Sequence, residues 1–236
     1  MIKSSFFKLS ALAMLFMVAC TQAPDSDNAT TAEAQEVVPN TTSSESWAVD
    51  LGNSKVVWVG TKVSGYHSGP IQIKSGELMV QNGSLTGGKF VLDLTTLTAT
   101  GPKGTDEASN VKLTAHLKSA EFFDIANYPE ATFEITGVTP YSGTSEPAVV
   151  QDDNKLEEIS EYRVSNPTHT ISGNLTIKNI TKNIQFPAQI TVTENSVDAI
   201  SKFNIDRTAW NITYPGKPDD LIRKEIHLGI ALKATK

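Results

Sequence analysis

The stretch Thr168-His169-Thr170-Ile171-Ser172-Gly173-Asn174-Leu175-Thr176-Ile177 decides how this chain folds. Ile171, Gly173, Leu175 and Ile177 fall on one side of an extended backbone, and Thr170, Ser172, Asn174 and Thr176 on the other, because successive side chains of a strand point to opposite faces. Such a strand buries one face and wets the other, the habit of antiparallel sheets. Directly downstream, Lys178-Asn179-Ile180-Thr181 reads as a hairpin. Ile184, Phe186, Ala188, Ile190 and Val192 then repeat the alternation, with Pro187 marking an edge, a bend or a bulge. Val197, Ala199, Phe203 and Ile205 follow, and Ile226, Leu228, Ile230 and Leu232 close the series near the C-terminus.

Upstream, Lys55 to Val63, Ile71 to Val80 and Leu85 to Leu94 also read as strands, the last two joined at Gln81-Asn82-Gly83-Ser84, whose Asn-Gly is a strong hairpin signal. Ala131, Phe133 and Ile135 alternate against Thr132, Glu134 and Thr136. The fold class is therefore all-β. About eight strands with short connections suit an extended up-and-down antiparallel barrel, which has no edges; a two-sheet sandwich would show the same alternation. One short helical segment is expected near 106–123, clearest over Asp106 to Lys118. Thr139 to Asn166, with Asp152-Asp153 and Glu157-Glu158, reads as a long polar excursion between strands.

The N-terminal residues are of another kind. Lys3 and Lys8, an apolar run from Leu9 to Val18 and then Ala19-Cys20 have the layout of a secretory signal, assigned to 1–19. Met17-Val18-Ala19-Cys20 resembles a bacterial lipobox, with Met17 where leucine is usual. Cys20 is the only cysteine, so an intrachain disulfide and a zinc–cysteine cluster are excluded, and it is the expected lipid anchor. Between Thr21 and Ser46 stand five carboxylates and no Lys or Arg, so 20–46 is expected to be a disordered acidic tether, with the folded domain spanning 47–236. Without Lys3 and Lys8 the chain carries 18 basic and 26 acidic side chains, net −8, which argues against nucleic acid as a partner.

The stretch His116-Leu117-Lys118-Ser119, Phe122-Phe123-Asp124, Tyr128-Pro129 and Ala131-Thr132-Phe133 resembles the signature of the YceI-like lipid/polyisoprenoid-binding family. So do Trp58-Val59-Gly60-Thr61-Lys62, Gly65-Tyr66-His67-Ser68-Gly69, Leu85 to Phe90 with Asp93, Gly173 to Lys178, and Ile205-Asp206-Arg207 with Trp210 and Tyr214. Pro70 and the acidic excursion depart from the pattern, both in segments read as loops. The resemblance implies a lipocalin-like barrel with a long apolar cavity that accepts a polyisoprenoid chain. Physics alone leaves the interior either filled by side chains or holding one ligand.

On that reading Trp58, Phe90, Phe122, Phe133, Phe203 and Trp210 are candidate cavity residues, with core filling as the rival role for each. His67, read in a glycine-flanked loop at the barrel mouth, His116 and Arg207 are candidate head-group contacts. Arg207 suits a phosphate or quinone oxygen, or equally a structural ion pair stacked on Trp210. No His-x-His or zincin spacing, nucleophile elbow or P-loop occurs, so neither metal, resident cofactor nor catalytic residue is assigned and the chain reads as a non-enzyme. The expected partners are an isoprenoid lipid or quinone and the membrane. At about 0.3 kcal/mol per heavy atom, a chain of roughly 40 carbons would contribute on the order of 12 kcal/mol. The oligomeric state, a dimer included, is left open. Thr21 in place of aspartate after Cys20 favours the outer membrane of the cell envelope over the inner, on a periplasmic or surface face. Two rival readings are a surface lipoprotein that binds a protein or glycan through its loops over a filled barrel, and an isoprenoid enzyme using His67, His116 or Arg207.

Overall fold

The computed structural model describes residues 24–37, 43–102, 104–143 and 161–236. The signal segment, Cys20 and the acids from Asp152 to Glu158 lie outside them. In chain order the elements are β1 (Asp25–Ser26), β2 (Thr30–Glu33), β3 (Glu45–Val49), β4 (Lys55–Lys62), β5 (Gly65–Gln81), β6 (Ser84–Asp93), α1 (Glu107–Lys118), β7 (Glu130–Pro140), β8 (Glu161–Tyr162), β9 (His169–Ile177), β10 (Ile180–Val192), β11 (Ser196–Asp206), β12 (Gly216–Lys217) and β13 (Asp220–Thr235).

Eight staves close into an antiparallel barrel, in the order β3 with β4, then β5, β6, β7, β9, β10, β11 and β13. β3 and β4 share one stave: both lie between β5 and β13, β3 against Glu77–Val80 and β4 against Gly65–Ile71. Closure rests on β13, which pairs with β11 from Ser196 to Asp206 and with β4 from Lys55 to Gly60. A closed ring leaves no free sheet edge, and the sandwich alternative falls. Both hairpins read from the sequence are tight turns with two left-handed residues, Asn82 and Gly83 (φ 51° and 73°) and Lys178 and Asn179 (φ 50° and 58°), whose twist matches that of the flanking strands.

α1 covers one end. Asp106 caps it by accepting from Ser109 N at 2.9 Å, and two backbone amides of the preceding segment donate to its side chains, Ala99 N to Thr114 Oγ1 and Gly101 N to Asn110 Oδ1, each at 2.9 Å. Leu117 is buried against the core.

Two expectations are corrected. Residues 24–37 of the supposed tether form a strap on the outside of the barrel. β10 pairs with β9 along one side, but its other side is divided: Gln189–Val192 meet β11, whereas Lys182–Gln185 meet β2. Asn28 bridges to Asn204 of β11, and β1 pairs in parallel with β8, so the strap spans the place where β10 and β11 part. Pro187 stands between the two pairing blocks, and its carbonyl accepts from Ser201 Oγ at 2.6 Å. Acidic composition signals weak apolar burial, but this strap is held mostly by ladder bonds and polar side chains, which composition does not count.

The second correction concerns His67, which is not in a loop. β4 turns directly at Val63–Ser64, and Gly65 to Pro70 already belong to β5, with His67 opposite Gly60. The glycine there serves close packing: a Cβ on Gly69 would lie 1.9 Å from Thr98 O, where the segment after β6 crosses the strand. The same crossing lets Trp58 Nε1 donate to Thr98 O at 3.1 Å.

Candidate functional site

A cavity of about 790 Å³ occupies the barrel. One wall is a run of phenylalanines, one from each of four strands: Phe90 (β6), Phe133 (β7), Phe186 (β10) and Phe203 (β11). Ring centroids are 5.4 Å apart from Phe90 to Phe133, 5.6 Å from Phe133 to Phe186 and 4.0 Å from Phe186 to Phe203, the last pair stacked at 9°. Between β7 and β10 lies β9, which offers Gly173 instead of a ring. A Cβ there would sit 2.2 Å from Phe133 Cζ, so the glycine makes room for the ring that bridges past it. Trp210 is fully buried and donates from Nε1 to Leu175 O at 3.0 Å. With both indole nitrogens of Trp58 and Trp210 satisfied by backbone, the wall presents apolar faces only.

All six aromatic candidates line the cavity, Phe122 at its mouth. Sequence reasoning did not single out Phe186, Tyr66 or Tyr214, which also line it. Phe186 carried a signal, since it shares an alternating face with Ile184 and Ala188; the two tyrosines, beside Gly65 and Pro215, carried no alternation, and only their place in the stretches that resemble the YceI-like family pointed to them.

The mouth is framed by the β4–β5 turn, α1, residues 212–217 and the start of β13. His116 packs edge-on against Phe122 and Tyr214, with centroids at 5.0 and 4.8 Å, and its Nε2 meets Glu121 Oε2 at 2.7 Å. His67 is half-buried nearby; burial, then the Lys62 charge, hold its pKa below the ordinary value, against an opposing pull from Asp220. Lys62 Nζ pairs with Asp220 Oδ2 at 2.5 Å, and Ser64 donates to Asp220 from both N and Oγ at 3.0 Å. The hydrogen bond from Lys62 is the main reason that the Asp220 carboxyl titrates low. His67 and His116 thus stand at the polar end of an apolar cavity.

Arg207 touches the same cavity but has another task. It is 3% exposed and opens the short 3₁₀ turn Arg207–Trp210. Its guanidinium donates to the carbonyls of Arg223 (3.1 Å), Tyr214 (2.8 Å), Ile222 (3.5 Å) and Ile212. Four of its five donors are engaged by backbone, so it clamps the 212–214 loop to β13 rather than presenting a fork to a ligand. Neither the ion pair nor the head-group contact expected from the sequence describes this geometry. Among the described residues no three His, Cys, Asp or Glu side chains come together as a metal site.

The sequence profile of the YceI-like domain matches residues 47–234. The chain belongs to the YceI-like family. Among solved structures, BcnA of Burkholderia cenocepacia shares 18% identity over 79% of this chain and 99% of its own, with a TM-score of 0.54. A polyisoprenoid binding domain from Saccharophagus degradans, implicated in plant cell wall breakdown, shares 11% over 80% of this chain and 97% of its own, with a TM-score of 0.50. At such identities the likeness concerns the fold. Curated proteins give no match. Within this YceI-like domain the signature from His116 to Phe133 is the corner at the mouth: the end of α1, Phe122 on the cavity, and a turn at Asp124 (φ 50°) whose carbonyl accepts from Tyr128 N at 2.8 Å before β7 begins. The strap precedes the residues matched to the YceI-like domain.

Proposed function

We propose that this YceI-like protein binds a long-chain isoprenoid lipid, a polyprenyl chain or an isoprenoid quinone, in the barrel cavity and carries or stores it in the cell envelope, anchored to the membrane through Cys20. The observation that carries this reading is the 790 Å³ cavity with its phenylalanine wall. A filled barrel acting only as a scaffold for loops would have no such space. The polyisoprenoid binding domain of Saccharophagus degradans shares the fold and is named for that ligand class.

The mechanism is burial. At roughly 30 Å³ per heavy atom, the share of one water in the liquid, the cavity takes about 26 atoms, close to five isoprene units. At about 0.3 kcal/mol per heavy atom those atoms contribute on the order of 8 kcal/mol, a micromolar affinity. A chain of roughly 40 carbons, taken at that same volume per atom, overfills the cavity and keeps its head end in the mouth, beside His67 and His116. Burial of this kind uses no catalytic group.

Trp58 and Trp210 on the wall report occupancy. Titrating delipidated protein with a polyprenol should change tryptophan emission saturably, at about one ligand per barrel, with little change for a short-chain prenol. Emission that never saturates, or equal responses to long and short chains, would remove the reading.

A further inference from the structure

The phenylalanine run is the inner end of the cavity as well as one of its walls. β6 and β11 run toward the mouth and β7 and β10 away from it, so depth along each strand follows residue number. On all four strands the phenylalanine is the deepest inward residue that lines the space. One inward step deeper stand Gly88 (β6), Ile135 (β7), Ala188 (β10) and Ser201 (β11), all buried and none of them on the cavity surface. Beyond them Trp47, Leu78, Ile171, Ile190 and Val197 fill that end of the barrel as core, and none of these lines the cavity either. β9 shows the same boundary, since Leu175 lines the cavity and Gly173, the next inward residue, does not.

Phe133 is the centre of this floor. Its ring stands between Phe90, at 5.4 Å, and Phe186, at 5.6 Å, and its Cζ occupies the place that a Gly173 side chain would take. No side chain from β9 therefore backs the ring, and the ring itself closes the space that the glycine leaves. Phe186 and Phe203 have a second duty, because their stack at 4.0 Å crosses the seam where the β10 and β11 ladder ends. Phe133 has none: its backbone is paired on both sides, to Phe90 and to Leu175, so its ring can be removed without touching the seam.

We infer that the Phe133 ring is the floor that sets the depth of the cavity, and with it the length of isoprenoid chain the barrel buries. The floor stands on geometry alone; its use as a ruler rests on the ligand class given under Proposed function. Phe133→Ala removes about six carbons, the room of roughly one isoprene unit at about 30 Å³ per heavy atom. Affinity for polyprenols of graded length should rise with each unit until the cavity is full and then level off, after about five units in the native protein and about one unit later in Phe133→Ala. The sixth unit should thus tighten binding about tenfold in the variant and hardly at all in the native protein. Phe133→Leu, smaller by about three carbons, should gain about fivefold from that unit, and it carries the test if the alanine variant does not fold. Ile226→Ala widens the cavity nearer the mouth, opposite Gly60, and should leave the levelling point where it is. Xenon tests the depth without any isoprenoid: crystals of the folded Phe133 variant under xenon pressure should hold the gas at the vacated ring position, and native crystals should not. A folded Phe133 variant with the native levelling point, an equal shift in Ile226→Ala, or no xenon at the ring position would overturn the floor. Native and variant proteins that take up no polyprenol of any length would instead strike the lipid-binding reading, and the xenon result would still decide where the cavity ends.

Discussion

His227 points outward from β13 by strand alternation, yet it is 1% exposed because the strap lies over it. Burial lowers its pKa to about 4, with Glu225 pulling upward and Arg223 downward. The imidazole is therefore neutral in the fold down to about pH 4, while in the unfolded chain it takes up a proton near pH 6.5. Above the unfolded value it has no effect on the pH dependence. As pH falls from about 6.5 to about 4 the unfolded chain binds the extra proton and stability declines, by roughly 3 kcal/mol in all. His67, also depressed, acts in the same direction. Urea unfolding at pH 7 and pH 4.5 should show a loss about 2 kcal/mol greater in the native protein than in His227→Gln; equal losses would contradict the assignment. Gly173 makes a different prediction. Alanine there forces the Phe133 ring into the cavity, so Gly173→Ala should cost about 1–3 kcal/mol of stability and also reduce polyprenol capacity. Arg207→Lys should be nearly as damaging as Arg207→Ala, about 3 kcal/mol or more by thermal unfolding, because an ammonium cannot reach carbonyls on two separate segments as the planar fork does.

At the scale of elements, strands were legible wherever alternation was clean. Thr168 to Ile177 named one face correctly, and that face lies in the barrel wall as β9. Legibility failed in two places. Gly65 to Pro70 reads as loop because glycine and proline are poor strand formers, but here glycine lets the segment after β6 lie flat on the strand. The strap reads as tether because its sequence is acidic and nearly free of large apolar residues; Thr30–Glu33 stay exposed in the fold, and their partners are edges and amides far away in sequence. Asn174 shows the pattern: its Oδ1 accepts from Gln35 N at 3.0 Å and its Nδ2 donates to Gln35 O at 2.6 Å. Asn174→Ala should raise amide exchange at Thr30–Glu33 on the order of tenfold, as expected for one or two net hydrogen bonds, while β9 and β11 keep their protection. Uniform exchange across strap and barrel would mean that the strap is not a separate unit.

For the molecule as a whole, one property organises the rest: a closed barrel that is not filled. The six aromatic candidates were legible because large inward side chains on a small barrel must meet in its interior, yet their spacing around 790 Å³ of space depends on sums of side-chain volume that no local pattern contains. Arg207 shows the limit from the other side, since residue type and neighbours suggested a ligand contact and the backbone carbonyls of 212, 214, 222 and 223 claim it instead. The central claim is that the space belongs to an isoprenoid chain. Native mass spectrometry of the protein taken from membranes in mild detergent, before and after delipidation and after adding polyprenols of graded length, tests it most directly. An isoprenoid-filled barrel should show one adduct of isoprenoid mass per barrel, lost on delipidation and regained best with chains of about five units or more. A barrel that carries nothing from the membrane and takes up no polyprenol of any length would contradict it.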